Sequence, residues 1–102
     1  MPADPSLVDD TALPEAVRRL VAEVLIVPLE QVGPDSALTA ELGAESIDFL
    51  DMIFRLEDVL RRPVALNRWQ RYVQERFGAA DLAHAITTRV VLEFAQREAR
   101  GE

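Results

Sequence analysis

The chain has 102 residues, of which 49% are hydrophobic, and this size fits one domain with a modest core. It contains no cysteine, which excludes disulfides, a thiol nucleophile and a thiolate metal site. The formal net charge is −7, and residues 1–60 hold 13 acidic but only 3 basic groups, so this part would repel nucleic acid and attract a basic protein surface.

The N-terminal region predicts neither export nor membrane insertion. It lacks the basic segment and apolar run of a secretory signal, and the longest apolar stretch, Val24 to Leu29, is too short to cross a bilayer. We therefore expect a cytoplasmic, monomeric protein without stable membrane insertion. Residues 1–12 are polar and contain prolines, which predicts a flexible N-terminus before a domain at 13–98 and a short tail at 99–102.

A first helix is predicted from Leu13 or Pro14 to about Leu25, because proline suits the first helical position and apolar residues then recur at helical spacing. Pro28 should end it. A long irregular stretch follows to about Glu45, punctuated by prolines and glycines. We expect it to be anchored in the core by two leucines, Leu38 and Leu42. A loop of this length in a compact domain is often functional.

A second helix is predicted from Ser46 to about Leu60. It is acidic and amphipathic, and its apolar residues are expected to form one wide face. That face comprises Phe49, Leu50, Met52, Ile53, Phe54, Leu56 and Leu60.

Two further helices complete the prediction. The third should run from about Asn67, as its cap, to Phe77, and be stopped by Gly78. The last should run from about Asp81, its N-cap, to Arg97. The chain contains no convincing strand, so the predicted class is all-α.

Ser46 is the most informative position. A helix N-terminus presents unpaired N–H groups and a partial positive charge, so a phosphodiester on Ser46 would be well placed. Serine is also among the best N-caps, although Phe49 stands where a capping box would need Glu or Gln. The residues alone leave both interpretations open.

Residues 35–38 (DSAL) and 41–48 (ELGAESID) resemble the signature of the acyl carrier protein family. The family pattern is leucine-glycine, one or two residues, and then Asp-Ser-Leu at the head of the second helix. Its serine receives 4′-phosphopantetheine from coenzyme A, and Ser46 matches that serine, while Glu45 replaces the aspartate and Ile47 the leucine. The resemblance implies a four-helix bundle over residues 13–98, with a long loop between helices 1 and 2, and a carrier protein rather than an enzyme.

The resemblance also implies two sets of binding residues. An acidic face with one apolar anchor would meet phosphopantetheinyl transferase and the acyl-loading, synthase and acyltransferase enzymes: Glu45, Ile47, Asp48, Asp51, Glu57 and Asp58. A second set would line a space for the acyl chain, with Phe49 bulky near its entrance: Phe49, Met52, Ile53 and Leu56.

The Arg-rich stretch after the second helix, together with Trp69, resembles the specialised carriers of very long acyl chains in lipid A synthesis. A discrete carrier for polyketide or aminoacyl and peptidyl intermediates is an alternative. A third interpretation is an acidic helical interaction module without a prosthetic group, in which Ser46 is only a cap. We expect His84 to be a surface or half-buried helix residue and not a catalyst, Trp69 and Tyr72 to pack from one helical face, and no metal site.

Overall fold

The computed structural model describes residues 12–101, so the predicted flexible segment at 1–12 lies outside the described residues except for Ala12. Five α-helices occur in the described part of the chain. They are α1 (Leu13–Leu25), α2 (Ser46–Leu60), α3 (Leu66–Phe77), α4 (Leu82–Ala85) and α5 (Thr88–Arg100), with a 3-10 turn at Leu29–Gln31.

The predicted all-α class is confirmed, with α1, α2, α3 and α5 as the four long helices. Within residues 12–101 the only extended pairing is a single antiparallel bridge between Ala37 and Thr87. No helix of this range is both long and apolar enough to cross a membrane.

Helix α1 packs against both α2 and α5 and forms the centre of the bundle. Its Val17 and Val21 are completely buried, beside Leu56 of α2 and Phe94 of α5 in one hydrophobic core. The spacing of apolar residues along α1 explains this placement, because residues three and four apart lie on one helical face.

The loop between α1 and α2 is held by side chains at both of its ends. Helix α1 ends where Ile26 adopts a left-handed conformation, two residues before Pro28. Arg18 then donates hydrogen bonds to the carbonyl oxygens of Leu29 and Val32 at 2.9 and 2.7 Å. Further along, Leu38 is fully buried.

The other predicted loop anchor, Leu42, is partly buried against the core, so both predicted anchors are confirmed.

The prediction of one continuous helix from Asp81 to Arg97 is wrong, because the chain is extended at Ile86 and Thr87. Thr87 is the N-cap of a new helix, α5, and its hydroxyl accepts a hydrogen bond from the Val90 N–H at 3.3 Å. The break therefore has a capping residue of its own.

The long loop also accounts for this break. The Leu38 N–H donates to the carbonyl of Ile86 at 3.0 Å, and the Ala40 N–H donates to that of Ala83, also at 3.0 Å. The loop thus donates hydrogen bonds to carbonyl oxygens of the α4 region, and these bonds hold α4 beside the start of α2.

Two smaller predictions also need correction. Helix α3 begins at Leu66, and its N-cap is Ala65 without a side-chain hydrogen bond, so Asn67 is not the cap. Phe54, predicted to lie on the apolar face of α2, is 60% exposed. The predicted end of α3 at Gly78 is confirmed.

Candidate functional site

Ser46 is the first residue of α2, and its side chain is exposed. Among residues 12–101 its hydroxyl has no hydrogen-bond partner. The approach is fixed by Gly43, in the left-handed region at φ 78°, and by Ala44, which is buried and donates its N–H to the Leu38 carbonyl at 2.9 Å. The loop therefore presents a free hydroxyl at a helix N-terminus.

The cap of α2 is formed by other residues. Glu45 has extended backbone and occupies the N-cap position. Its N–H donates to Oδ2 of Asp48 at 2.8 Å. The N-cap therefore lies one residue before Ser46, the residue that the sequence offered as a cap, and the Ser46 hydroxyl is not needed for it.

A groove of about 970 Å³ opens beside Ser46, between the start of α2, helix α3 and helix α4. This volume is at the upper end of the range of roughly 300–1,000 Å³ found for ligand clefts. Its wall is mainly apolar and includes Phe49, Leu50, Leu66, Trp69, Val73 and Ile86. The groove therefore offers a mainly apolar surface directly beside the Ser46 hydroxyl.

The residues predicted to line an acyl-chain space divide into two groups. Phe49 lines the groove. Met52, Ile53 and Leu56 are buried in the core, at 1%, 3% and 0% exposure, and are not part of the groove wall. They lie on the same face of α2 further from Ser46, where α1, α3 and α5 cover them.

Aromatic contacts form the inner wall of the groove. Phe49 stacks on Trp69 with ring centroids 6.0 Å apart. Trp69 meets Phe94 edge-on at 5.3 Å, and Tyr72 lies 5.4 Å from Phe94. The predicted packing role of Trp69 and Tyr72 is confirmed, since both are buried. That Trp69 also lines the groove was not predictable from the sequence, because local spacing does not encode the position of α3 relative to α2.

The predicted partner residues are spread along α2 from its cap to its last turn. Ile47 is 68% exposed beside it, and Glu45 and Asp58 are exposed as well. Asp51 pairs with Arg55 at 3.2 Å.

Glu57 differs from the other predicted partner residues. Its Oε2 accepts the N–H of Val64 at 2.8 Å, which ties the turn after α2 to the helix. This carboxylate therefore has a structural hydrogen bond of its own.

Arginines of the α3 region join that region to α5. Arg68 binds the carboxylate of Glu98 through Nε, 3.0 and 2.9 Å from its two oxygens, and Arg62 donates to the Glu98 carbonyl at 2.8 Å. The hydrogen bond and the charge of Glu98 raise the pKa of Arg68. Arg76 pairs with Glu93. These contacts give part of the Arg-rich stretch a structural role.

Two further predictions concern His84 and metal binding. His84 is on the surface, as predicted, with Nδ1 2.8 Å from Oδ2 of Asp81. Residues 12–101 contain no group of three or more His, Cys, Asp or Glu side chains that could hold a metal ion.

Comparison with known proteins assigns this arrangement to a class. The phosphopantetheine attachment site family matches residues 15–68, which is more than half of the chain. An acyl carrier protein of Streptomyces coelicolor is 32% identical over 83 residues, which cover 80% of this chain and 90% of that protein. Proteins named acyl carrier protein AcpXL from Mesorhizobium japonicum and Rhizobium meliloti are 25% and 31% identical, over 66% and 64% of this chain and 72% and 68% of theirs.

The four long helices and the family match define a carrier protein and not an enzyme. The chain belongs to the acyl carrier protein family, whose prosthetic group is 4′-phosphopantetheine.

Proposed function

We propose that Ser46 carries the 4′-phosphopantetheine arm and that the chain holds acyl intermediates there as thioesters. The chain has three serines, and Ser6 lies outside the matched region 15–68. The hydroxyl of Ser36 accepts a hydrogen bond from the Gly33 N–H at 3.0 Å. Of the two serines within residues 12–101, only Ser46 lies at a helix N-terminus with an exposed hydroxyl that has no partner there. This observation carries the proposal.

The residues around Ser46 fit a phosphodiester and a pendant chain. The N-terminal end of α2 has a partial positive charge that favours a negative group on its first residue. The arm, when bound, supplies the thiol that this cysteine-free chain lacks. The chain itself positions the attachment point and offers an apolar surface beside it.

We further propose that the groove shelters the acyl chain. Phe49 and Leu50 form its α2 side, and Leu66, Trp69 and Val73 form its α3 side. Burial of alkyl groups against such a wall is favourable by about 25 cal/mol per Å² of apolar surface removed from water. Met52, Ile53 and Leu56 support this wall from the core.

The partner surface in this proposal runs along α2 from its exposed start. Ile47 provides an apolar anchor, and nearby carboxylates steer basic enzyme surfaces toward it. Partners would be phosphopantetheinyl transferase and enzymes that load, extend or transfer acyl groups. The acidic residues of this surface are Glu45, Asp48, Asp51, Glu57 and Asp58.

The proposed pathway is fatty-acid or lipid biosynthesis, and a carrier of very long acyl groups is the favoured type within it. The large groove and the resemblance of the Arg-rich stretch with Trp69 to such carriers support this choice. Loading the arm with a fatty acyl ligase and with an amino-acid ligase distinguishes it from an aminoacyl or peptidyl carrier. Efficient loading by the amino-acid ligase alone would contradict it.

The attachment site is tested by intact mass after incubation with coenzyme A and a broad-range phosphopantetheinyl transferase. We expect the wild type and Ser36→Ala to gain the mass of one arm, and Ser46→Ala to gain none. Equal modification of Ser46→Ala and the wild type would contradict the proposal.

A further inference from the structure

The groove beside Ser46 ends on its inner side at two stacked rings. Phe49 on α2 and Trp69 on α3 have an interplanar angle of 18°. Both rings line the groove, and Trp69 is only 5% exposed. The stack therefore joins α2 to α3. It lies between the groove, where a chain attached to Ser46 would start, and the interior of the bundle.

The space behind the two rings is filled. Trp69 contacts Phe94 of α5 edge-on, at an interplanar angle of 75°. On α2, Met52 and Ile53 follow Phe49 and belong to the hydrophobic core. A chain could reach the core from the groove only by displacing the Phe49 ring, since protein interiors are close-packed.

The groove continues in a different direction, toward α4. Leu82, Ala83 and Ile86 line that end, and Leu82 is 39% exposed. An alkyl chain that follows this wall reaches solvent at Leu82.

We infer that Phe49, stacked on Trp69, determines how the acyl chain is held: the pair closes the bundle interior and keeps the chain in the surface groove. The inference rests on the proposed attachment at Ser46. An enclosed cavity limits chain length by its far wall, whereas a chain in this groove extends past Leu82. Phe49 is thus a specificity-determining residue that favours long acyl groups over those that need full enclosure.

The test uses the arm-bearing protein acylated with saturated chains of increasing length. Phe49→Ala is compared with Phe54→Ala, which removes the same ring from an exposed position of the same helix. The first readout is the gain in melting temperature on acylation, relative to the unacylated arm-bearing form of each variant. The second is the emission of Trp69, the only tryptophan.

In the wild type and Phe54→Ala we expect the gain in melting temperature to level off once the acyl chain is long enough to pass Leu82. We also expect Trp69 emission to change on acylation. In Phe49→Ala we expect a larger gain, because the space left by the ring admits the chain to the core. Phe49→Leu, which keeps apolar bulk, serves if Phe49→Ala does not fold, and should show a smaller change in the same direction.

Identical curves for the Phe49 variants and the wild type would overturn the inference. Absence of the arm's mass from the wild type is a separate result, because it would overturn the attachment at Ser46 before any acyl chain is added.

Discussion

The carboxylate of Asp48 accepts the backbone N–H of Glu45 at 2.8 Å, and this contact caps the helix that begins with Ser46. The cap is thereby separated from the proposed attachment residue. Modification of the Ser46 hydroxyl leaves the capping contact in place, and the carboxylate stays near the helix N-terminus, where negative charge is favourable.

Asp48→Ala should destabilise the protein. The substitution removes the acceptor for the Glu45 N–H at the start of α2, and loss of a capping interaction costs about 1 kcal/mol. In a domain of this size that corresponds to a fall in melting temperature of about 4–8 °C. Thermal unfolding followed by circular dichroism measures it. Asp58→Ala, an exposed carboxylate on the same helix without such a contact, is the control and should change stability little.

Ile47→Ala should slow loading without loss of stability. Its side chain is 68% exposed next to Ser46, so truncation leaves the core intact and removes an apolar contact with the transferase. We expect kcat/KM of the transferase for this protein to fall by roughly three- to tenfold. Phe54→Ala, exposed further along α2, should load like the wild type; an equal loss in both variants would contradict a docking role for Ile47.

Glu98→Gln should lower the melting temperature, because its carboxylate is only 7% exposed and binds Arg68. The substitution removes the negative charge that the guanidinium faces and loosens the attachment of α3 to α5. Glu93→Gln affects the pair with Arg76, whose two side chains are both partly exposed, and should have a smaller effect. A larger effect of Glu93→Gln in thermal unfolding would show that the buried carboxylate is not the main link.

The N-terminus of α4 should respond to acid through Asp81. The hydrogen bond with His84 is the main cause of a lowered pKa at Asp81. The charge of His84 and the hydrogen bond from the Ala83 N–H also lower this pKa. A lowered folded-state pKa means that the stability from Asp81 is present above its ordinary value of about 3.9 and is lost as the pH falls through the lowered value. His84→Gln should therefore raise the pKa of Asp81, as measured by NMR titration of its carboxyl carbon. An unchanged titration would contradict this assignment.

Local patterns predicted much of the fold. Apolar spacing and Pro14 correctly predicted the bounds of α1. The predicted ends of α2, Ser46 and Leu60, are also those of the structure. The break at Thr87 was not predictable from spacing, because it depends on hydrogen bonds from a loop distant in the sequence.

The candidate site was predicted in part. The motif predicts Ser46 as the attachment residue, and the structure describes its side chain as exposed. The groove wall could not be predicted, because residues of α3 and α4 come to it only through tertiary packing. Helical spacing alone could not separate Phe49, at the groove, from Met52, in the core.

The most direct test of the proposed role is the position of the arm on the chain. After loading from coenzyme A, cleavage at glutamate gives a peptide of residues 46–57, in which Ser46 is the only hydroxyl-bearing residue. We predict that mass spectrometry finds one 4′-phosphopantetheine on this peptide and none on residues 31–41, which contain Ser36. An unmodified 46–57 peptide, or an arm located on another fragment, would contradict the account.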